Sequence, residues 1–283
     1  MDIEMKAENA LREVQLTQLR ILKVFMQFCE DHNLRWYMIG GSLIGVLRHK
    51  GFIPWDDDID IGMPRKDYDG FVALQNTFPD GYTLTDRRND AKWHFNFSQF
   101  VDAESEIIVH MNEKPRPCKI WIDVFPIDGM PENSFRRWLH GNHVLMYRYM
   151  IQMAKITTQV DTHKVGRPWF EKAIIKMLHY VPVGKLVNVD RCLDNMARVL
   201  RRYDFDDSVW AGNMLGKYRE KEYMPKSWWG VPVKLPFEDI SVLCPAESDK
   251  IETKLYGDYM QWPAVGHRVS HDIEILKLRD SEI

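Results

Sequence analysis

The chain has 283 residues, 45% of them hydrophobic and 28% charged, and a formal net charge of −3. That composition supports a sizeable core and excludes a purely disordered chain. The near-neutral balance argues against a general nucleic-acid binder, which would be basic. The charged start, Met1 to Lys6, lacks the apolar run of a signal peptide, and the longest nearly uncharged stretch, Tyr37 to Leu47, is too short to span a bilayer. Cys29, Cys118, Cys192 and Cys244 are scattered without C-x-x-C spacing, so reduced cytosolic thiols are expected rather than a zinc site or redox pair.

From Lys6 to Asp31, Leu11, Val14, Leu19, Leu22, Phe25 and Phe28 recur near one helical face, and Asn33 suits the left-handed position that ends a helix. Arg35 to Ile39 reads as a short strand broken by Gly40-Gly41, with Ser42 as the cap of a short helix through Leu47. Gly51 to Asp57 is a loop, in which Asp56 and Asp57 are expected to be solvated. Asp58 to Met63 alternates polar and apolar residues, as a half-buried strand does. Pro64 opens a helix carrying Tyr68, Phe71 and Leu74. Gly81 to Leu84 and Phe95 to Val101 are weaker strands, and Ile120 to Phe125 alternates again, with Asp128 read as a turn residue before Gly129. Beyond Pro131 the pattern becomes helical over Phe135 to Ile156, Pro168 to Leu178 and Leu186 to Tyr203. A last helix from Glu247 to Tyr256 ends at Gly257.

Within this order, one constellation carries chemistry. The glycines of Gly40-Gly41-Ser42 let backbone N–H groups approach a phosphate, and the Ser42 hydroxyl adds a hydrogen bond. Asp58 and Asp60 stand two apart on a strand, so their carboxylates share a face roughly 6–7 Å apart at Cα. Hard oxygen ligands of this kind suit Mg²⁺ or Mn²⁺. Asp123, on a second alternating strand, supplies a third carboxylate if the strands are neighbours. Three acids could then hold one or two metals around a displacement at phosphorus, or Asp123 could take the proton of an attacking hydroxyl. Arg48 and Lys50 are candidates to neutralise a diphosphate, with His49 between them. Trp55, His267 and Arg268 are further candidates for substrate contact.

The run from Gly40-Gly41-Ser42 through Trp55-Asp56-Asp57-Asp58-Ile59-Asp60-Ile61 closely resembles the signature of the LicD family of bacterial phosphocholine transferases, related to fukutin and fukutin-related protein. Met63 to Tyr68, Ile122 to Asp128 and Leu255 to Met260 resemble family segments too. The resemblance implies an α+β fold with a nucleotidyltransferase-like, polymerase-beta-type core on a small mixed sheet, plus a helical C-terminal region. Residues 1–130 would form the catalytic core. Residues 131–283 would form a mainly helical region and closing segment, packed with the core as one catalytic unit. The resemblance further implies that Asp58, Asp60 and Asp123 hold Mg²⁺ or Mn²⁺. Phosphocholine would pass from CDP-choline to a sugar hydroxyl of a polysaccharide, teichoic acid or lipopolysaccharide precursor, releasing CMP. CDP-glycerol or CDP-ribitol is the alternative donor; a nucleotidyltransferase, or a non-catalytic sugar- or nucleotide-binding relative, is the alternative function. The sequence departs from the family pattern where Gln99 and Val101 replace basic residues.

Choline would favour an aromatic cage, for which Trp228, Trp229 and Trp262 are candidates. Phe135 to Ile156 mixes Arg136, Arg137, Arg148 and Lys155 with apolar residues. Such a helix suits either internal packing or peripheral contact with a membrane bearing a lipid-linked acceptor. The expected setting is therefore the cytoplasm, extending to the inner face of the membrane.

Overall fold

The computed structural model describes residues 2–110, 117–159, 187–264, 268 and 273–279. The expected helix over Pro168 to Leu178, and His267, lie outside the described residues.

The long helix α1 (Asp2–Asp31) ends before Asn33, which takes the left-handed conformation with φ 55°. It lies across one face of a mixed sheet of eight strands. The central path runs from β1 (Tyr37–Met38) to β2 (Asp60–Pro64), β5 (Pro117–Met130), β4 (Ser98–Val109) and β10 (Ile273–Lys277). β3 (Tyr82–Thr85) pairs with the start of β4, and β10 pairs with its end. Only β2 and β5 are parallel among these pairs, in the register Asp60 opposite Asp123. The chain returns between them through α3 (Arg65–Ala73), β3 and β4.

Period-two alternation decides what each face carries. Ile59, Ile61 and Met63 alternate with Ile120, Ile122 and Val124 on the face that meets Leu22, Phe25 and Phe28 of α1 in the main core. Asp58, Asp60 and Asp123 are therefore turned the other way. On that second face lies a smaller cluster of Tyr37, Ile39, Ile127, Met224, Trp229, Ile251 and Leu255.

β5 runs past the expected end at Phe125, because Pro126 and Gly129 do not terminate it. Its last residues pair with β6 (Trp210–Gly212), which pairs with β7 (Tyr223–Pro225). Asp128 is consequently no turn residue. It is fully buried and accepts two hydrogen bonds from Arg65, Nε at 2.6 Å and Nη2 at 2.7 Å.

In the described part of the second half, the expected helices are joined by strands that the periodicity does not predict. α4 (Ser134–Gln159) and α5 (Val189–Leu200) pack on each other. Short strands then take over: β6, β7, the hairpin β8 (Val233–Phe237) and β9 (Ile240–Cys244), and β10. Between them stand the single-turn α6 (Lys226–Trp229) and α7 (Ser248–Tyr256). Short edge strands show too few alternations to register in a periodicity reading. The two halves share cores: Phe237, Val242 and Cys244 join the cluster under α1. All four cysteines are unpaired, and no described helix is long and apolar enough to cross a membrane.

Candidate active site

A cavity of about 680 Å³ opens on the sheet face opposite α1. One wall is acidic and comes from the front of the chain. Gly40 and Gly41 open the five-residue helix α2 (Gly40–Ile44), followed by a single wide turn, Gly45 to His49. Gly40 takes φ 59°, and a Cβ there would stand 3.0 Å from Oδ2 of Asp60; one on Gly41 would stand 3.0 Å from Oδ2 of Asp56. The glycines thus allow the backbone to lie directly against two carboxylates, the close approach for which glycine is needed.

Ser42 is not the cap of this helix, whose N-cap position is Ile39. Its buried Oγ accepts the Asp60 N–H at 2.8 Å, fixing β2 against α2.

Asp58 lies in the extended residues just before β2, which begins at Asp60, and both line the cavity. The Asp123 N–H donates to the Ile59 carbonyl at 2.8 Å, which sets Asp123 beside Asp60 in the sheet, although Asp123 itself does not line the cavity. Asp56 joins Asp58 and Asp60 there. The expected solvated loop is in fact held inward: Gln15 Nε2 donates to the Asp56 carbonyl at 2.8 Å and Gln18 Nε2 to that of Asp57 at 2.7 Å. Asp57 is buried and Asp56 lines the cavity. Acidic residues in a loop usually mean solvation; the polar residues on α1 that reverse this have no local sequence signal.

Burial and mutual repulsion raise these acids. Asp56 is pushed up to about 8, first by burial and then by Asp58. Asp60 is driven well above the carboxylate range by burial, then by Asp58, Asp123 and Asp56. Asp123 reaches about 7 through burial, although Gln99 Nε2 donates to its Oδ1 at 2.9 Å and Trp121 Nε1 to its Oδ2 at 3.2 Å. Gln99, placed opposite Asp123 on β4, thus orients that carboxylate without neutralising it, as a basic residue there would. Val101 is buried. Among the described residues, no three His, Cys, Asp or Glu side chains stand gathered at metal-ligand spacing.

The opposite wall comes from the second half of the chain. It contains Arg148 from α4, the loop Leu215 to Arg219, Glu222, Trp229 and, from α7, Ile251, Leu255 and Tyr256. Arg148 Nη1 donates to the carbonyls of Met214 at 3.2 Å and Gly216 at 2.9 Å, which hold it at the cavity. The cavity's basic groups are therefore Arg148, Lys217 and Arg219. Arg148 had no distinguishing signal, since its helix reads as amphipathic all along. Arg137 from the same helix stacks 3.7 Å over the Trp210 ring instead.

Arg48 and Lys50 do not line the cavity. Arg48 Nη1 donates to the carbonyls of Tyr259 at 2.6 Å and Gln261 at 3.1 Å, tying down the C-terminal segment. Lys50 is exposed, in the left-handed conformation after the wide turn. Trp55, Trp262 and His49 form a separate aromatic group, with the Arg268 guanidinium 5.1 Å from each Trp ring. Of the cage candidates, Trp229 alone reaches the cavity.

The family model described as "LicD/FKTN/FKRP, nucleotidyltransferase domain" matches residues 33–187. The chain belongs to the LicD/FKTN/FKRP family. That match contains the acidic wall and Arg148, while the rest of the basic and aromatic wall lies beyond it. The LicD lipopolysaccharide cholinephosphotransferase of Haemophilus influenzae is 29% identical over 275 residues, covering 93% of this chain and 96% of its own. An uncharacterized Rickettsia prowazekii protein is 30% identical over 200 residues, covering 67% of this chain and 69% of its own. The similarity to the Haemophilus protein thus takes in both walls of the cavity.

Proposed function

We propose that this LicD-family chain transfers phosphocholine from CDP-choline to a sugar hydroxyl of a surface-glycan precursor, with release of CMP. The observation that carries the reading is the cavity itself, where carboxylates on the sheet face Arg148, Lys217 and Arg219. The near full-length similarity to a protein named as a lipopolysaccharide cholinephosphotransferase supports the choice of phosphocholine. We read the β2–β5–β4 platform as a nucleotidyltransferase-type core.

The acidic wall fits a divalent cation by the chemistry of its donors, not by the spacing at which its side chains stand. Asp58, Asp60 and Asp123 offer hard oxygen donors, and after burial the charges that act most on Asp60 are the acids Asp58, Asp123, Asp56 and Glu222. Mg²⁺ or Mn²⁺ held by these residues would supply positive charge at the reacting phosphorus. Arg148, Lys217 and Arg219 would hold the donor's diphosphate by charge-assisted hydrogen bonds. The acceptor oxygen attacks the phosphorus bearing choline. The bond from that phosphorus to the bridging oxygen breaks, CMP leaves with that oxygen, and the acceptor's proton passes to Asp123. Gln99 and Trp121 each donate to the Asp123 carboxylate and fix its orientation.

The test is CMP release by the purified protein with Mg²⁺ and a sugar acceptor, comparing CDP-choline, CDP-glycerol and CDP-ribitol. Faster turnover of a polyol donor would overturn the choline assignment. For the acceptor, exposed Phe135, Trp138 and Leu139 on α4 support peripheral contact with a lipid-linked glycan. Protein that stays in the supernatant when anionic vesicles are sedimented would remove that part.

A further inference from the structure

The cavity contains charges that transfer chemistry at phosphorus does not use. Glu222 lies in its wall, away from the sheet carboxylates in sequence, and accepts the Tyr218 N–H at 2.9 Å. Behind it stands Glu252 on α7, 0% exposed, with neither carboxyl oxygen hydrogen-bonded. An unpartnered buried carboxyl is costly, and a second acid beside it makes it more so. Glu222 is pushed up to about 7 by burial, and Glu252 well above the usual range by burial and by Glu222.

The surroundings are aromatic. Tyr218 and Tyr256 meet edge to face with ring centroids 4.9 Å apart, and both line the cavity with Trp229. Trp229 is itself buried, with its indole N–H unpartnered. Small metal ions and ammonium groups need hydrogen-bonding or coordinating oxygens arranged around them. A quaternary ammonium needs neither. It has no N–H to donate, and it is stabilised by aromatic faces and by negative charge nearby. Glu222, in the cavity wall with Tyr218, Tyr256 and Trp229, matches that requirement.

The charge order along the cavity also fits. Arg148 is close enough to Glu222 to pull its pKa down against the effect of burial. Positive and negative groups therefore stand side by side, as phosphate and ammonium do in a zwitterion whose charges are separated by two carbons. On the other side, a Cβ on Gly40 would stand 3.8 Å from the Tyr256 hydroxyl and 3.0 Å from Asp60, so the aromatic end adjoins the acidic wall.

We propose that Tyr218, Tyr256 and Trp229 form the subsite for the donor's quaternary ammonium, with Glu222 as its counter-charge and Glu252 as a second, deeper acid. This rests on the phosphocholine-transfer reading, and it adds the residues that select a cationic alcohol over a neutral one.

The experiment compares CDP-choline with its uncharged isostere, CDP-3,3-dimethylbutanol, in which carbon replaces the ammonium nitrogen. In the wild-type protein, kcat/KM should favour the choline donor by about tenfold or more. In Glu222→Gln and Glu252→Gln that ratio should fall toward one, mainly through KM. Calorimetric titration of phosphocholine against 3,3-dimethylbutyl phosphate supplies the same ratio without turnover, should a variant be folded but inactive. Tyr218→Leu, which leaves both acids in place, should lower the ratio as well. An unchanged ratio in folded Glu222→Gln and Glu252→Gln would overturn the assignment and leave two buried acids with no part in binding the donor. If wild-type protein instead turns over CDP-ribitol and not CDP-choline, the phosphocholine reading fails, and the subsite with it.

Discussion

Asp60 is pushed up first by burial and then by four neighbouring acids, Asp58, Asp123, Asp56 and Glu222. Its charge is costly to the fold, so its amide variant should lose activity without losing stability. Asp58→Asn and Asp60→Asn are each expected to abolish CMP release while the melting temperature of the metal-free protein stays level or rises. EDTA should stop the wild-type reaction and Mg²⁺ restore it; wild-type rates in either folded variant would defeat the metal-site reading. Arg148 is the corresponding test on the opposite wall. Arg148→Gln removes a charged donor, a loss of roughly 1.5–3 kcal/mol, or about 10- to 150-fold in kcat/KM. An unchanged kcat/KM would mean that Arg148 only braces the Met214 and Gly216 carbonyls. Sequence alone separates these two walls. Asp58 and Asp60 declare themselves through alternation with Ile59 and Ile61, because a core face on one side fixes what must lie on the other. Arg148, Glu222 and Glu252 sit in no such pattern, and their meaning comes only from which loops the fold brings together.

β5 is the element on which the site depends most. Its front half sets Asp123 opposite Asp60, and its end carries Asp128, buried against Arg65 at the start of α3. The ion pair pins the segment after β2 to the strand that bears the third acid. Breaking a buried pair by deleting one partner costs about 3–5 kcal/mol, because the remaining charge stays desolvated. Asp128→Ala should therefore lower the urea midpoint by that equivalent, and replacing both residues with apolar ones should recover most of it. A loss under about 1 kcal/mol would show that Arg65 finds water or another partner. The alternating half of this strand is readable from sequence. Its continuation is not, since Pro126 and Gly129 look like stop signals when their partner strands β2 and β6 are unknown. α1 shows a similar division. Its apolar stripe predicts the helix and its core face, whereas the roles of Gln15 and Gln18 depend on a loop some forty residues away.

The molecule as a whole carries its acids in a state that couples stability to pH and to cations. Asp56 at about 8, Asp123 and Glu222 at about 7, and Asp60 and Glu252, both well above the carboxylate range, all ionise later in the native protein than in the unfolded chain. Between pH 6.5 and 8.5 the unfolded chain has already lost these protons and the native protein is still losing them. The native state binds more protons there, so stability falls as pH rises through that window. Buried His140, lowered to about 4, acts in the opposite sense, but only below the ordinary histidine range. The melting temperature of the metal-free protein is therefore expected to fall from pH 6.5 to pH 8.5. A cation bound by the acidic wall needs those carboxylates deprotonated and releases their protons on binding. Saturating Mg²⁺ should accordingly raise the melting temperature more at pH 8.5 than at pH 6.5, and flatten the dependence on pH. In Asp60→Asn both effects should shrink together, because one acid supplies part of the proton uptake and part of the metal affinity. Thermal melts at a series of pH values, with and without Mg²⁺, check this directly. A Mg²⁺ shift of equal size at every pH would place the cation elsewhere, and a metal-free protein that grows more stable toward pH 8.5 would contradict the raised carboxyls themselves.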